Sequence, residues 1–171
     1  MFTFSKKKIL EYSKKYDLSE KHYTEREGVL KRTLAKKNYL TKSDFINIGR
    51  WKSTRPTKHY ESNDDKLVRE VSKIAFTTKN EELRIKVLKI LNGCNYPLAS
   101  TILHFKFPNR YTIIDYRVLW SLQGIKRPIK YSYELWNNYV KEIRSLAKQY
   151  KVSIRTLDKA LWKYSEKKNR M

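Results

Sequence analysis

The residues whose types and spacing bear on chemistry are concentrated between Leu91 and Leu122, in the run LNGCNYPLASTILHFKFPNRYTIIDYRVLWSL. Asp115 stands out there as an acid in a basic chain, preceded by Ile113 and Ile114 and followed by a helix-like stretch. A carboxylate at the mouth of a helix can act on a bound partner. It can equally be a plain N-cap that accepts a backbone N–H. Upstream, Asn92-Gly93-Cys94-Asn95 reads as a tight turn in which Gly93 and Asn95 tolerate left-handed backbone angles. Such a turn aims successive N–H groups outward beside a helix N-terminus, an arrangement suited to a phosphate oxygen. A second constellation, Arg50-Trp51-Lys52 with Arg55, interleaves cations with an aromatic ring at a helix end. It suits stacking on a base and gripping phosphate, or a wedge for the gap left by a displaced base. The simpler reading has Trp51 closing the core and the charges solvated. Tyr96, Tyr111 and Tyr116 are candidate pocket walls, although with 13 tyrosines in the chain chance placement explains them too. Arg117 either pairs with Asp115 or meets a phosphate.

Other chemistries lack their residues. His22, His59 and His104 are far apart and show no metal-ligand spacing. There is no Gly-rich phosphate loop and no Gly-x-Ser-x-Gly elbow. Cys94, the single cysteine, allows no disulfide within the chain and no cysteine-ligated cluster; it reads as a small packing residue of the turn.

The elements that position these residues read as helices throughout. The patterning gives a short basic helix over 5–16 and a second over 19–37, with Tyr23, Val29, Leu30 and Leu34 as apolar positions. Thr41 with Asp44 three residues on is an N-cap signal for a helix through Phe45, Ile48 and Trp51. Residues 53–62, with Pro56, read as a loop. A helix over 63–76 carries Leu67, Val71 and Ile74 on its expected inner face. Another, over 79–91 and capped by Thr78, carries Leu83, Val87, Ile90 and Leu91. Pro97 suits the first turn of a helix running to Lys106. A short extended stretch, 111–114, leads to a helix from Asp115 that Gly124 ends. Ser132 opens a long helix to Tyr150 with Leu135, Tyr139, Ile143 and Leu146 on one stripe, and Ser153 opens the last, with Ile154, Leu157 and Leu161. The tail 167–170 is expected to fray.

Charge narrows the partners. Lys and Arg number 39 against 17 Asp and Glu, a formal net charge of +22. Self-repulsion on that scale opposes a compact chain, and a polyanion that releases counterions on binding is the usual counterweight. Part of the excess reflects Lys abundance along the whole chain; an anionic membrane surface or an acidic protein are the other partners it would suit. No apolar run approaches a membrane span. The N-terminus has no long apolar stretch after its basic residues, so no secretory signal is expected. An intracellular setting, cytoplasmic and nucleoid-associated, follows as the expectation.

The 91–122 segment resembles the helix-hairpin-helix DNA glycosylases, the HhH-GPD superfamily. Leu91-Asn92-Gly93-Cys94-Asn95 matches the family's hairpin, Ala99-Ser100 its small pair in the following helix, and Asp115-Tyr116-Arg117-Val118 its acidic segment some twenty residues later. The likeness is good over about thirty residues and vague elsewhere. It implies an all-α, two-lobed helical fold. The chain would be a single compact domain over 1–171, with one lobe of about 1–77 with 123–171 and another of 78–122. It implies that hairpin N–H groups of Gly93, Cys94, Asn95 and Tyr96 hold the DNA backbone, with a monovalent cation on hairpin carbonyls as the only metal. No cofactor is implied. The target base of double-stranded DNA is flipped out, and Asp115 stabilises the positive charge growing on the sugar as the base leaves. The hairpin lysine of the lyase-competent members falls at Pro97, and the iron–sulfur loop of some members has no counterpart. The resemblance therefore implies a monomeric, monofunctional DNA glycosylase without efficient lyase activity, in base-excision repair or in defence against phage DNA. The rival readings are a non-catalytic helix-hairpin-helix DNA-binding protein, in which Asp115 is only a cap, and a basic helical module for RNA or a nucleoprotein assembly.

Overall fold

The computed structural model describes residues 1–168, with side chains to 166. Among the described residues it is all-α: ten helices and no strand. Two compact units emerge, Met1–Thr24 with Pro108–Met171 and Glu25–Phe107.

The helices in chain order are α1 (Lys6–Ser19), α2 (Lys21–Ala35), α3 (Lys42–Lys52), α4 (Thr57–Glu61), α5 (Asp65–Thr77), α6 (Glu81–Leu88), α7 (Tyr96–Lys106), α8 (Tyr116–Gln123), α9 (Tyr133–Gln149) and α10 (Ile154–Lys168). Local signals set most of the boundaries. Ser5 caps α1 and Ser132 caps α9. Thr41 and Asp44 form a reciprocal capping box on α3. Gly124, at φ 72°, closes α8. Two expectations are corrected. The stretch 53–62 is not all loop, since Pro56 leads into the short α4. Asn80, rather than Thr78, caps α6, which is shorter than the sequence suggests.

In the first unit α10 packs against α1, α8 and α9. Ile9, Tyr12 and Tyr16 of α1, Val118, Leu119 and Leu122 of α8, Tyr139 and Ile143 of α9, and Leu157, Leu161 and Tyr164 of α10 are buried. The N-terminal residues are tied into this core: the Phe2 N–H donates to Ser121 O at 2.7 Å and the Tyr164 hydroxyl to Met1 O at 3.0 Å. In the second unit α7 is the central element. Every residue from Leu98 to Phe105 is buried, so the helix is enclosed on all sides, with α3 and α6 against it.

The unit bounds differ from the expected lobes, which cut the chain after 77 and after 122. The packing gives the reason: α1 pairs with α10, so the N-terminus joins the C-terminal helices, while α3 and α5 pack with α6 and α7 and keep 25–107 together. The inner faces of two helices also differ. In α5 Leu67 and Ile74 are 38% and 43% exposed, and Val68, Val71, Ser72, Ala75 and Phe76 face inward. In α6 Leu83 is exposed while Arg84, Ile85 and Leu88 are buried. Tyr23 and Val29 of α2 are exposed too, leaving Leu34 as its buried apolar anchor.

Candidate functional site

The turn before α7 lies in the second unit and is built by side chains distant in sequence. Gly93 takes φ 79°, which L side chains rarely adopt. A Cβ there would sit 2.8 Å from the Tyr60 ring and 3.1 Å from His59 Cβ. Tyr60 itself is buried between Gly93 and Gly49, where a Cβ would meet the ring at 2.6 Å. Burial pushes the Tyr60 phenol up to about 12. Asn63 clamps the turn from α4's end: its Oδ1 accepts from Asn92 N–H at 2.7 Å and its Nδ2 donates to Asn92 O at 3.1 Å. The same amide donates to His59 O and Tyr60 O, so one buried side chain ties two loops together.

This wiring decides which hairpin donors remain without an acceptor. The Cys94 N–H is used on Leu91 O at 3.0 Å, and the Tyr96 N–H on Asn95 Oδ1 at 2.8 Å. With Asn92 held by Asn63, only the Gly93 and Asn95 N–H groups of residues 92–96 have no acceptor among the described residues. The expectation that Cys94 and Tyr96 donate to a ligand is corrected on that ground, and both side chains are buried. Burial raises the Cys94 thiol far above its usual range, which removes it as a nucleophile. The Lys89 ammonium lies 4.6 Å from the Tyr96 ring centre at the rim of the turn.

Asp115 lies in the first unit. Its Oδ1 accepts from the Arg117 N–H at 2.9 Å, so it is the N-cap of α8. Asp115 is half-buried, and its charge acts on the Tyr131 and Tyr139 phenols. Arg117 lies over Trp162 at 4.8 Å and over Tyr116 at 5.3 Å; Arg127 lies over Tyr116 at 3.5 Å. Burial first, and then the negative charge of Asp115, push the Tyr131 phenol up to about 12, with Arg127 opposing. The stretch that delivers Asp115, Tyr111–Ile114, is buried and anchored from α9. Trp136 stacks on Tyr111 at 5.8 Å, and the Tyr139 hydroxyl donates to Ile113 O at 3.2 Å.

Asp158 and Arg155 of α10 complete this support, and neither was singled out by spacing. Asp158 is 2% exposed and pairs with Arg155. Its Oδ1 lies 3.4 Å from the Tyr139 hydroxyl, and Arg155 reaches the Tyr16 hydroxyl at 3.4 Å. Burial, followed by the charge of Asp158, raises the Tyr139 phenol well above its ordinary value. The only signal in the sequence was a pair of charged residues three apart on an otherwise apolar helix face, Arg155 and Asp158.

The Arg50–Arg55 constellation is dispersed. Trp51 is 5% exposed and packs edge-on against Phe105 at 4.9 Å, so the wedge or stacking role is corrected: the ring closes the core of the second unit. Arg50 pairs with Glu61 at 2.7 Å, both exposed. Lys52 is half-buried, and Arg55 is exposed with no acid partner among the described residues.

Several cations are committed to structure. Buried Arg84 donates to Ala75 O at 2.7 Å and to Thr78 O, capping α5. Lys106 donates to Leu34 O and Ala35 O, both at 3.2 Å, capping α2, and burial lowers its pKa. The remaining excess is not confined to a tail: of the 39 Lys and Arg, 21 fall in the first unit and 18 in the second, against 8 and 9 of the 17 acids.

No group of three or more His, Cys, Asp or Glu is placed to hold a metal ion among the described residues. No described helix is long and apolar enough to cross a membrane. Comparison with protein families, with curated proteins and with solved structures finds no match to this chain.

Proposed function

We propose that the protein is a monofunctional DNA glycosylase of the helix-hairpin-helix type, with Asp115 as its catalytic carboxylate. The observation that carries this reading is the setting of Asp115. A carboxylate fixed by a backbone N–H bond stands at the end of a buried, doubly anchored segment, near enough to Tyr131 to raise its phenol, and opens a helix whose Arg117 lies over Tyr116 and Trp162, with Arg127 over the same Tyr116 ring. The aromatic faces suit an unstacked base, and the guanidinium groups suit the phosphates flanking it. In the reaction, the N-glycosidic bond breaks with its electron pair going to the base. The carboxylate opposes the positive charge left on the sugar. Water then adds its oxygen to C1′ and gives up a proton, and the departing base gains one. The Gly93 and Asn95 N–H groups hold a backbone phosphate, and Pro97 leaves the hairpin without a Schiff-base lysine. DNA is the partner and the chain acts without a cofactor.

A second reading has a specific observation behind it. Asp115 caps α8, and that bond alone accounts for an acid at this position. On this reading the protein binds DNA through the same basic surfaces and cleaves nothing. One experiment separates the two. Duplexes each carrying one altered base are incubated with the protein and scored for abasic sites. Glycosylase activity predicts release from at least one duplex. Asp115→Asn then lowers single-turnover release by about 10²-fold or more, with the melting temperature kept, because Asn caps a helix as well as Asp. Undiminished release in a folded Asp115→Asn variant removes Asp115 from the chemistry. Tight duplex binding with no abasic sites across the panel leaves the non-catalytic reading.

A further inference from the structure

Some exposed helical cations in this molecule have an acid one turn away. Lys15 pairs with Glu11, Arg69 with Asp65 and Lys86 with Glu82, each at i,i+4. The C-terminal end of α9 has two cations and no such acid. Arg144 and Lys148 are four apart on one face, both exposed, with Lys151 following, and none of the three has an acid partner among the described residues. Like charges at this spacing repel by about 0.2–0.5 kcal/mol in a helix.

The chain geometry then sets an open cavity beside the two cations. Lys151 takes φ 52°, and the Val152 N–H returns to Ala147 O at 3.0 Å, so the backbone doubles back against the helix it has just left. Between α9 and the start of α10 this leaves a cavity of about 260 Å³, lined by Asn109, Arg144, Ala147, Lys148, Val152, Ser153 and Ile154. Ala147 and Ile154 are buried and contribute its apolar part. No acid lines it. The Asn109 side-chain amide has no hydrogen-bond partner among the described residues and is a donor at the rim. At about 30 Å³ per water, the space holds a phosphate group with several waters. The positive end of α10 opens onto the same space and adds to a field the two side chains already set.

We infer that this cavity binds a phosphate group. Arg144 presents a planar fork to two of its oxygens, Lys148 a point charge to a third, and Asn109 a neutral donor. The source of the phosphate is a nucleic-acid backbone, a step that rests on the nucleic-acid reading above. The site shares no residue with Asp115 or the Gly93 turn, so it would serve grip and not base release.

The test compares two double variants of equal charge change. Arg144→Glu with Lys148→Glu removes the site. Lys73→Glu with Lys79→Glu alters two exposed cations of the second unit that have no role above. Duplex affinity is measured by fluorescence anisotropy between 50 and 200 mM salt. The expected result is a Kd raised about tenfold or more by the first pair and less than about threefold by the second, with the salt slope reduced by about 0.9 per lost phosphate contact. Equal weakening by both pairs, or none by either, overturns the inference and leaves the nucleic-acid reading standing. A wild-type protein that binds neither duplex nor single strand overturns that reading. The cavity is then decided by amide NMR with inorganic phosphate: saturable shifts at Asn109, Ser153 and Ile154 that vanish in the first variant sustain a phosphate site, and shifts that never saturate overturn it. Thermal melting checks that the variants fold, with Arg144→Gln and Lys148→Gln as the milder pair.

Discussion

Two helix-to-helix turns in this molecule use one left-handed residue each and put it to opposite ends. Before α7 that residue is Gly93, and the space a side chain would need is filled by Tyr60 and His59. After α9 it is Lys151, which is exposed, and the next residues, Val152 and Ser153, line an open cavity. The first turn is stitched to distant chain through Asn63 and spends the Cys94 and Tyr96 N–H groups on its own acceptors. The second is closed only by its own backbone and keeps two cations uncommitted. A glycine in a turn therefore reports close packing at least as readily as a ligand, and the turn with more unspent binding capacity carries no glycine.

Gly93→Ala is the sharpest way to break the contrast. It forces a Cβ onto the Tyr60 ring at a positive φ, and it should cost about 3 kcal/mol in denaturant unfolding. A loss under about 1 kcal/mol would mean that the turn is as open as the one after α9. Asn63→Ala follows at about 2 kcal/mol, because it strands the Asn92 N–H and carbonyl. The same variant should raise the alkylation rate of Cys94 at pH 8 about tenfold or more. In the wild type that thiol is protected by burial, which holds it protonated well above its ordinary pKa. Unchanged alkylation would show that Asn63 does not hold the turn shut. The smallest effect has the opposite sign. Lys151→Gly relieves the left-handed residue of its side chain and should stabilise the fold by about 0.5 kcal/mol, after the greater entropy of glycine in the unfolded chain is set against it. Destabilisation there would mean that the Lys151 side chain makes contacts of its own.

Much of the helix framework was legible because its signals are local. Thr41 with Asp44, Ser132, Pro97 and Gly124 act on backbone groups within four residues, and the structure has each where the sequence put it. The candidate site was legible only in part. Asp115 sits at the mouth of α8 as read, but its anchors, Tyr139, Asp158 and Arg155, come from helices with no local signal linking them to it. Trp51 misled for a related reason: flanking cations resemble a stacking platform, and only the neighbouring Phe105 shows that the ring turns inward.

By itself the sequence determined the all-helical class, most of the caps, the large positive charge and the absence of any disulfide within the chain. Only the tertiary structure decided which residues share a unit, placing the Gly93 turn in one and Asp115 in the other. It also decided whether α5 buries Leu67 or Val68, and which N–H groups of the hairpin remain to donate. Caps and left-handed turns are settled by bonds a few atoms away. The buried face of a helix with apolar residues on two sides, and the fate of each donor and cation, depend on what packs against it from elsewhere in the chain.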